Sequence, residues 1–457
     1  MTPAADRPPI EEQIAQWRAY LRRRRVIEGP DVEELEDRLR DQIAALIAAG
    51  LAGDEAFLVA VKRMGGFDAL SREFVREHSD RLWQQLVLAP AADAGPPGEA
   101  RREALVVTSL AIAAAVAVKV PALFGLRFGG ADMPFYARNA SLFVLPLLTA
   151  YFAWKRGLDV TGRASLALAF GAAAVAANVF RFGAGSRTEV LLALHLPIAL
   201  WLLVGVAYAG EQRFASGRWM DFVRFSGELF IYYVLIALGG GVLTAFTMMM
   251  FDSIEMNAAW FAEGWLVPCG AMGAVIVGSW LVEAKQGVIE NMAPVLTRLF
   301  TPLFIVVLLA FLATMAWTRS PIDVEREVLI GFDLLLVLVV GLVLYAASAR
   351  DPHAPPGLFD RLQLLLVVSA LAVDAVALTA VSSRISEFGF TPNRVAALGE
   401  NLILLVNLAW SAWLYARFLR GGGPFVALER WQVAYLPVYS VWAAFVVAAF
   451  PPLFAYA

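Results

Sequence analysis

This chain has little cysteine, histidine or charge for its 457 residues. Its single cysteine, Cys269, lies within an apolar run, which excludes an intrachain disulfide and a cysteine-based metal cluster. The three histidines, His78, His195 and His353, fall on separate segments, with no Walker loop, HExxH pair or nucleophile elbow. We therefore expect no catalytic residues, no metal site and no cofactor, although the sequence leaves an enzymatic activity open. We also expect no nucleic-acid partner.

The scarce charge is unevenly distributed. Charged residues make up 17% of the chain and hydrophobic residues 60%, against roughly 25% charged in a soluble globular protein. The first 97 residues or so are rich in charge, whereas the remainder is a series of apolar runs long enough to cross the roughly 30 Å core of a bilayer. This pattern predicts an all-α fold: a polytopic transmembrane helix bundle with a small N-terminal cytoplasmic helical domain.

The apolar runs define about eleven candidate spans. Lys and Arg are more frequent in the loops that would share a side with the N-terminus, which favours a cytoplasmic N-terminus and an outward C-terminus. The lipid bilayer is therefore the expected partner, and the sequence leaves the oligomeric state open. The predicted spans are 104–126, 138–154, 163–181, 188–209, 228–250, 264–283, 300–318, 328–347, 360–384, 395–416 and 434–455.

Three segments follow from this pattern: a helical domain over 1–92, a Pro/Gly/Ala linker over 93–103 and the transmembrane domain over 104–457. In the first, apolar residues recur at helical spacing in DVEELEDRLRDQIAALIAAG, and further short helices are predicted at 53–66 and 67–83. The basic run Arg22–Arg25 is either a solvated helix end or a contact with anionic lipid. We interpret the domain as a regulatory module with a possible cytoplasmic protein partner.

The stretch RISEFGFTPNR lies between two predicted spans on the outer side. A glycine there can end the first span, and a Thr-Pro step can start the second. A tight helical hairpin turn explains most of this stretch, and a charge cluster that meets an anionic ligand is the alternative. The residues concerned are Arg384, Glu387, Gly389, Thr391, Pro392 and Arg394.

Two parts of the chain resemble known protein families. EELEDRLRDQIAALIAAGLAGDEAFLVAVKRMGG is similar to the permease prefix domain, a helical module related to the HAAS signalling domains that precede bacterial membrane proteins. YYVLIALGGGVL and RISEFGFTPNRVAAL resemble a bacterial inner-membrane family that is known only as a domain of unknown function. The resemblance implies a multi-span inner-membrane protein with a regulatory head, and it implies neither an activity nor catalytic residues.

Ionisable residues inside predicted spans are functional candidates, because they are costly at membrane depth. Asp374, near the middle of the ninth span, is the strongest candidate, and Gln363 lies almost on the same helical face. Lys119 is either an interfacial anchor or a partner for Asp374. His195, within the fourth span, is either hydrogen-bonded between helices or a functional group.

The tenth span carries a polar stripe with seven-residue spacing through Asn393, Glu400 and Asn407. The stripe is either hydrogen-bonding contact between helices or the lining of a site. The fifth and sixth spans contain residues that can break a helix. These residues either mark a binding site, as broken helices do in many transporters, or allow close packing between helices. The break candidates are Gly239, Gly240, Gly241, Pro268 and Gly270.

Two functions remain open from the sequence. The first is a permease-like transporter or channel for a small solute or ion, with a cytoplasmic regulatory head; the spans, buried charges and broken helices favour it. The alternative is a membrane sensor that passes an envelope or lipid signal to a cytoplasmic partner through its N-terminal domain.

Overall fold

The computed structural model describes residue 14 and residues 29–48, 56–57, 59–60, 97–183, 185–212, 216–252, 256–257, 259–284, 292–318 and 326–456. The chain divides into two compact units, Met1–Arg102 and Glu103–Ala457. The described residues of both units are helical, with turns between helices and no β-strand, as the composition predicts.

The first unit contains helix α1, Gly29–Ala48. Leu39, Ile43 and Leu46 are buried at the predicted three- and four-residue spacing, whereas Ile47 is 42% exposed and lies outside this face. Residues 56–57 and 59–60 are also helical. The basic run at 22–25 and the predicted helix at 67–83 lie outside the described residues.

The second unit is a helix bundle. Helix α2 begins at Pro97, so the predicted linker over 93–103 is helical from residue 97, and residues 93–96 lie outside the described part. The helices are α2, Pro97–Ala117; α3, Met133–Lys155; α4, Val160–Val179; α5, Arg187–Ala209; α6, Ser216–Asp252; α7, Val267–Ala284; α8, Met292–Thr318; α9, Arg326–Ser348; α10, Leu358–Phe388; α11, Pro392–Leu419; and α12, Val426–Leu453.

Among the described residues, nine helices are long and apolar enough to cross a membrane, as expected for a multi-pass membrane protein. Each of the eleven predicted spans overlaps a helix, but α3 and α9 are not among the nine. In α9 the apolar part is the shorter stretch Asp333–Ser348. Helix α3 buries the polar side chains of Asn139, Ser141 and Thr149.

The bundle has two main clusters of buried apolar side chains. One is formed by α2 to α7 with Val447 of α12, and the other by α8 to α12. A small third cluster joins α5, α11 and α12 through Leu191, Ala396, Val446 and Phe450. Gly399 permits close packing at this junction, because a Cβ atom there would lie 2.0 Å from the Trp442 ring.

Neither of the two candidate breaks interrupts a helix at the residues named from the sequence. Helix α6 runs without interruption through Gly239, Gly240 and Gly241. Inside a bilayer an unwound backbone lacks hydrogen-bond partners, so the helix is maintained despite the low propensity of glycine. Before α7, by contrast, Ala262–Leu266 forms a π-helical turn. Pro268 and Gly270 therefore follow an irregular segment and lie within the first turn of α7.

The second half of α6 is the most exposed apolar surface on one helix. Leu235, Leu238, Leu243, Phe246 and Met250 are each more than half exposed. The first half is anchored, since Phe222, Phe225 and Leu229 belong to the first cluster. Within the bundle, α6 is thus fixed at one end and open to lipid along the other.

Candidate functional site

Asp374 of α10 is the most unusual polar residue of the bundle. Its side chain is 0% exposed, and it lies fourteen residues before the end of α10, or about 21 Å along the helix. No described residue donates a hydrogen bond to either carboxyl oxygen. A buried polar group without a partner costs free energy, so this position is unexplained by packing alone.

A second carboxyl group, on α9, lies near Asp374. Asp333 lies within electrostatic range of Asp374, and its Oδ1 accepts a hydrogen bond of 3.0 Å from Asn401 Nδ2 of α11. Asn401 is also fully buried, and its own Oδ1 has no described donor. Unsatisfied acceptor oxygens are therefore contributed by neighbouring helices of the same bundle.

A His–Glu contact lies next in this series. His195 Nε2 of α5 is 2.7 Å from Glu400 Oε1 of α11, and Glu400 is in turn within electrostatic range of Asp333. His195 Nδ1 is 2.8 Å from the carbonyl oxygen of Leu191. Since a carbonyl oxygen only accepts, Nδ1 carries a hydrogen. A hydrogen bond at Nε2 then requires a further proton, held either by the imidazole or by Glu400.

We call His195, Asp333, Asp374, Glu400 and Asn401 the acidic site. Exposure falls along it: the Glu400 side chain is 32% exposed, Asp333 is partly buried and Asp374 is fully buried. Neither Asp333 nor Asp374 forms an ion pair with a basic side chain in the described part of the chain. The acidic site thus contains more carboxyl groups than described basic side chains to neutralise them.

The chemistry of this site favours a proton or a weakly held cation. The described residues contain no group of three or more His, Cys, Asp or Glu side chains arranged to hold a metal ion. A carboxyl group in a bilayer must be neutralised by a proton, an ion or a basic partner. No described basic side chain neutralises Asp374, which leaves a proton or an ion to do so.

The structure does not bring Lys119 to Asp374. Lys119 Nζ instead donates to the carbonyl oxygen of Gly264 and lies 4.4 Å from the centre of the Trp265 ring. Gly264 belongs to the π-helical turn, where carbonyl groups depart from the normal helical hydrogen-bond pattern. Pairing between Lys119 and Asp374, one of the two interpretations from sequence, is therefore wrong for this structure.

The polar stripe on α11 divides into two different environments. Asn407 Nδ2 donates to Tyr439 Oη at 2.6 Å and to Gln432 Oε1 at 3.2 Å, while its Oδ1 accepts from Trp431 Nε1 at 2.7 Å and from Ser411 Oγ at 3.2 Å. Asn407 thus joins α11 to α12 in a satisfied network. Glu400, one heptad earlier, belongs to the acidic site.

Gln363 links two other helices. Its Nε2 donates to Thr301 Oγ1 of α8 at 2.9 Å, and its Oε1 has no described donor. It lies eleven residues, or about 16 Å along the helix, from Asp374. Gln363 is therefore a helix contact at a distance from the acidic site.

The turn between α10 and α11 is held by local contacts. Gly389 has a φ of 75° and donates its N–H to the Ile385 carbonyl at 2.8 Å. Arg394 Nη1 donates to the carbonyl oxygens of Phe388 and Gly389 at 3.1 and 2.9 Å. Thr391 is the N-cap and Pro392 the first helical residue, but the Thr391 side chain forms no capping hydrogen bond.

The charges of this turn serve its structure. Arg394 satisfies the last carbonyl groups of α10, as basic residues at helix ends commonly do. Glu387 is exposed, and Arg384 has an interaction within the structure. These contacts support the interpretation as a hairpin turn.

Sequence reasoning missed two members of the acidic site. Asp333 lies near the start of a predicted span and was indistinguishable from a charge at a helix end. The signal was present in GFDLLLVLVV, where Asp333 precedes an unbroken apolar run. Asn401 adjoins Glu400 but falls outside the seven-residue spacing, so only the helix packing reveals it.

No family model, curated protein or solved structure matches this chain.

Proposed function

We propose that this protein is a permease-like transporter or channel for a small solute or ion, and that its acidic site binds the proton or ion that drives it. The observation that carries the proposal is Asp374, a fully buried carboxyl group without a described donor. Intramembrane carboxyl groups of this kind form proton relays in pumps and transporters. A purely structural carboxyl group would be expected to have hydrogen-bond partners, as Asn407 does.

The order of the groups suggests a route. Glu400, the most exposed of the carboxyl groups, exchanges a proton with the outside and with His195. Asp333 and Asp374 follow it in order of increasing burial, each within electrostatic range of the one before. Negative charge at one group favours protonation of its neighbour, because like charges repel at short range in a medium of low dielectric constant.

The His195–Glu400 contact also offers a link to movement. It joins α5, a helix of the first apolar cluster, to α11, a helix of the second. Loss of the shared proton leaves two acceptor atoms 2.7 Å apart, which repel. Alternating access in transporters uses such relative motion of two helix groups around a site near the midplane.

The finer topology belongs to the same proposal. We propose that eleven helices cross the membrane, with α3 and α9 in addition to the nine apolar ones, and that the N-terminus is cytoplasmic. On the resemblance of the N-terminal segment to the permease prefix domain, which no family model confirms, we propose a bacterial inner membrane and a regulatory role for Met1–Arg102.

The test is charge movement in reconstituted protein. Full-length protein in proteoliposomes on a solid-supported membrane is subjected to a step in pH, and separately to a step in Na⁺. We expect a transient current in response to one of the two steps, its loss in Asp374→Asn and its return in Asp374→Glu. Asp351→Asn, which removes an exposed carboxyl group outside the acidic site, is the matched control. Absence of current in the wild-type protein under both steps contradicts the proposal.

A sensor function is the second candidate. The observation that favours it is the separate compact unit Met1–Arg102, with its buried apolar face on α1. In a sensor, a change in the bilayer would alter the protection of α1 in the full-length protein. Amide hydrogen exchange of α1 in thin and thick bilayers tests this, and equal protection in both contradicts it.

A further inference from the structure

A cavity of about 220 Å³ lies at the end of α11, remote in sequence from the acidic-site residues of that helix. It is lined by Trp413, Ala416, Arg417, Arg420 and Gly422. Two of its five lining residues are arginines, on the last turn of α11 and at its C-cap. The cavity therefore combines positive charge with an aromatic wall.

Arg417 is held in place from two sides. Its Nε donates to the carbonyl oxygen of Gly422 at 2.6 Å, and its guanidinium carbon lies 5.4 Å from the centre of the Trp413 ring. The glycine loop folds closely around this side chain: a Cβ atom at Gly423 would lie 3.1 Å from Arg417 Nε, and Gly421 has a φ of 73°. The two Nη groups of a guanidinium fixed in this way remain available as a planar fork.

The positive charge of the cavity is not compensated within the described part of the chain. Neither Arg417 nor Arg420 forms an ion pair with a described carboxylate. Arg350, nearby in the bundle, is different, since it binds Asp360 at 2.7 Å. A fixed guanidinium fork without a carboxylate favours an external anion, and phosphate oxygens match its geometry.

The position of the cavity identifies the source of the anion. Pro392–Leu419 is one of the nine apolar helices, so the cavity lies where a span ends. Trp413 is 48% exposed and its ring is 4.9 Å from that of Trp410, which is 5.5 Å from Trp431. Tryptophan at the end of a span is typical of the headgroup level of a bilayer.

We propose that this cavity binds the phosphate of an anionic phospholipid headgroup. Arg417 binds the phosphate oxygens through its fork, Arg420 contributes a second positive charge, and the apolar face of Trp413 packs against the glycerol and upper acyl region. The site is independent of the proposed transport function, because none of its residues belongs to the acidic site.

Native mass spectrometry of the full-length protein tests this inference. Phosphatidylglycerol and phosphatidylcholine are titrated against the wild type, Arg417→Gln, Arg420→Gln and the double variant. Basic residues near anionic lipid contribute about 1 kcal/mol each, so we expect phosphatidylglycerol affinity to fall about fivefold in each single variant and about thirtyfold in the double variant. Arg361→Gln is the matched control, an exposed arginine at the start of α10 and outside the cavity.

Each outcome is decisive. Unchanged phosphatidylglycerol affinity in the double variant overturns the proposal, as does equal affinity of the wild type for both lipids. Competition by inorganic phosphate as strong as by the lipid indicates a site for a soluble anion and also overturns it. If Arg417→Gln does not fold, because the Gly422 contact is lost, Arg420→Gln decides the question, since no described contact of the Arg420 side chain is removed.

Discussion

Replacement of Asp374 by asparagine should leave the bundle as stable as before, or make it more stable. The carboxyl group receives no hydrogen bond from a described residue, and asparagine has nearly the same volume, so neither a bond nor packing is lost. If the carboxyl group is protonated, the change in unfolding free energy should lie within about 1 kcal/mol. If it is ionised, removal of the charge should stabilise the protein by up to about 3 kcal/mol, the insertion cost of aspartate at membrane depth.

Asn407→Ala gives the contrast that makes this result meaningful. Asn407 exchanges four hydrogen bonds with neighbouring side chains. Three of these bonds reach α12, and the fourth joins Ser411 of α11 itself. At about 0.6 kcal/mol for each interhelical bond in a membrane protein, their loss should cost about 2 kcal/mol. Asn407 should therefore be needed for stability and Asp374 should not, although both are buried polar residues in apolar helices.

The assay is reversible unfolding of the purified protein in mixed micelles as the fraction of denaturing detergent rises. Loss of about 2 kcal/mol or more in Asp374→Asn would refute the argument, because it would show that the carboxyl group makes a stabilising contact. Lys119→Met combined with Asp374→Asn should give additive effects, since Lys119 binds Gly264 and Trp265 instead. A large coupling energy between the two substitutions would indicate that Lys119 and Asp374 pair, in contradiction to the structure.

Three further predictions concern other parts of the bundle. Glu400→Gln should preserve the bridge to His195 at all pH values, since the amide always supplies a donor to Nε2, whereas Glu400→Leu should abolish it; the imidazole ¹⁵N chemical shifts of His195 measure this. Gly399→Ala should destabilise the bundle by about 1–3 kcal/mol, because its Cβ would meet the Trp442 ring; a melt that is unchanged contradicts the packing of α11 on α12. Reporter fusions after Ala457 and within residues 351–357 should report opposite sides of the membrane, and the same side for both would refute the eleven-helix topology.

The helices could be predicted from the sequence because each is determined by residues that are adjacent in the chain. A run of apolar residues long enough for a bilayer has to be helical, since every backbone group needs an internal partner there. The same rule explains why α6 continues through Gly239–Gly241, where the sequence left a helix break open. Glycine loses its usual disadvantage when the alternative is an unpaired backbone in lipid.

The candidate site could be predicted only in part, because its geometry depends on residues that are far apart in the sequence. Asp374, His195 and Glu400 stand out as polar residues within apolar runs. Their partners do not, because His195 and Glu400 are 205 positions apart and meet through the packing of α5 on α11. Charge type alone suggested Lys119 for Asp374, whereas the irregular turn at Gly264 supplied the acceptor that Lys119 binds.

The length of α6 has a mechanical consequence. Its apolar part, residues 229–251, extends about 35 Å, somewhat beyond the roughly 30 Å hydrocarbon core. Its first half is packed into the bundle, and most of the large side chains of its second half are apolar and exposed. A longer hydrophobic helix adapts to a thinner membrane by tilting. We therefore expect a change in bilayer thickness to tilt the exposed half of α6 about the point where Phe222, Phe225 and Leu229 are buried.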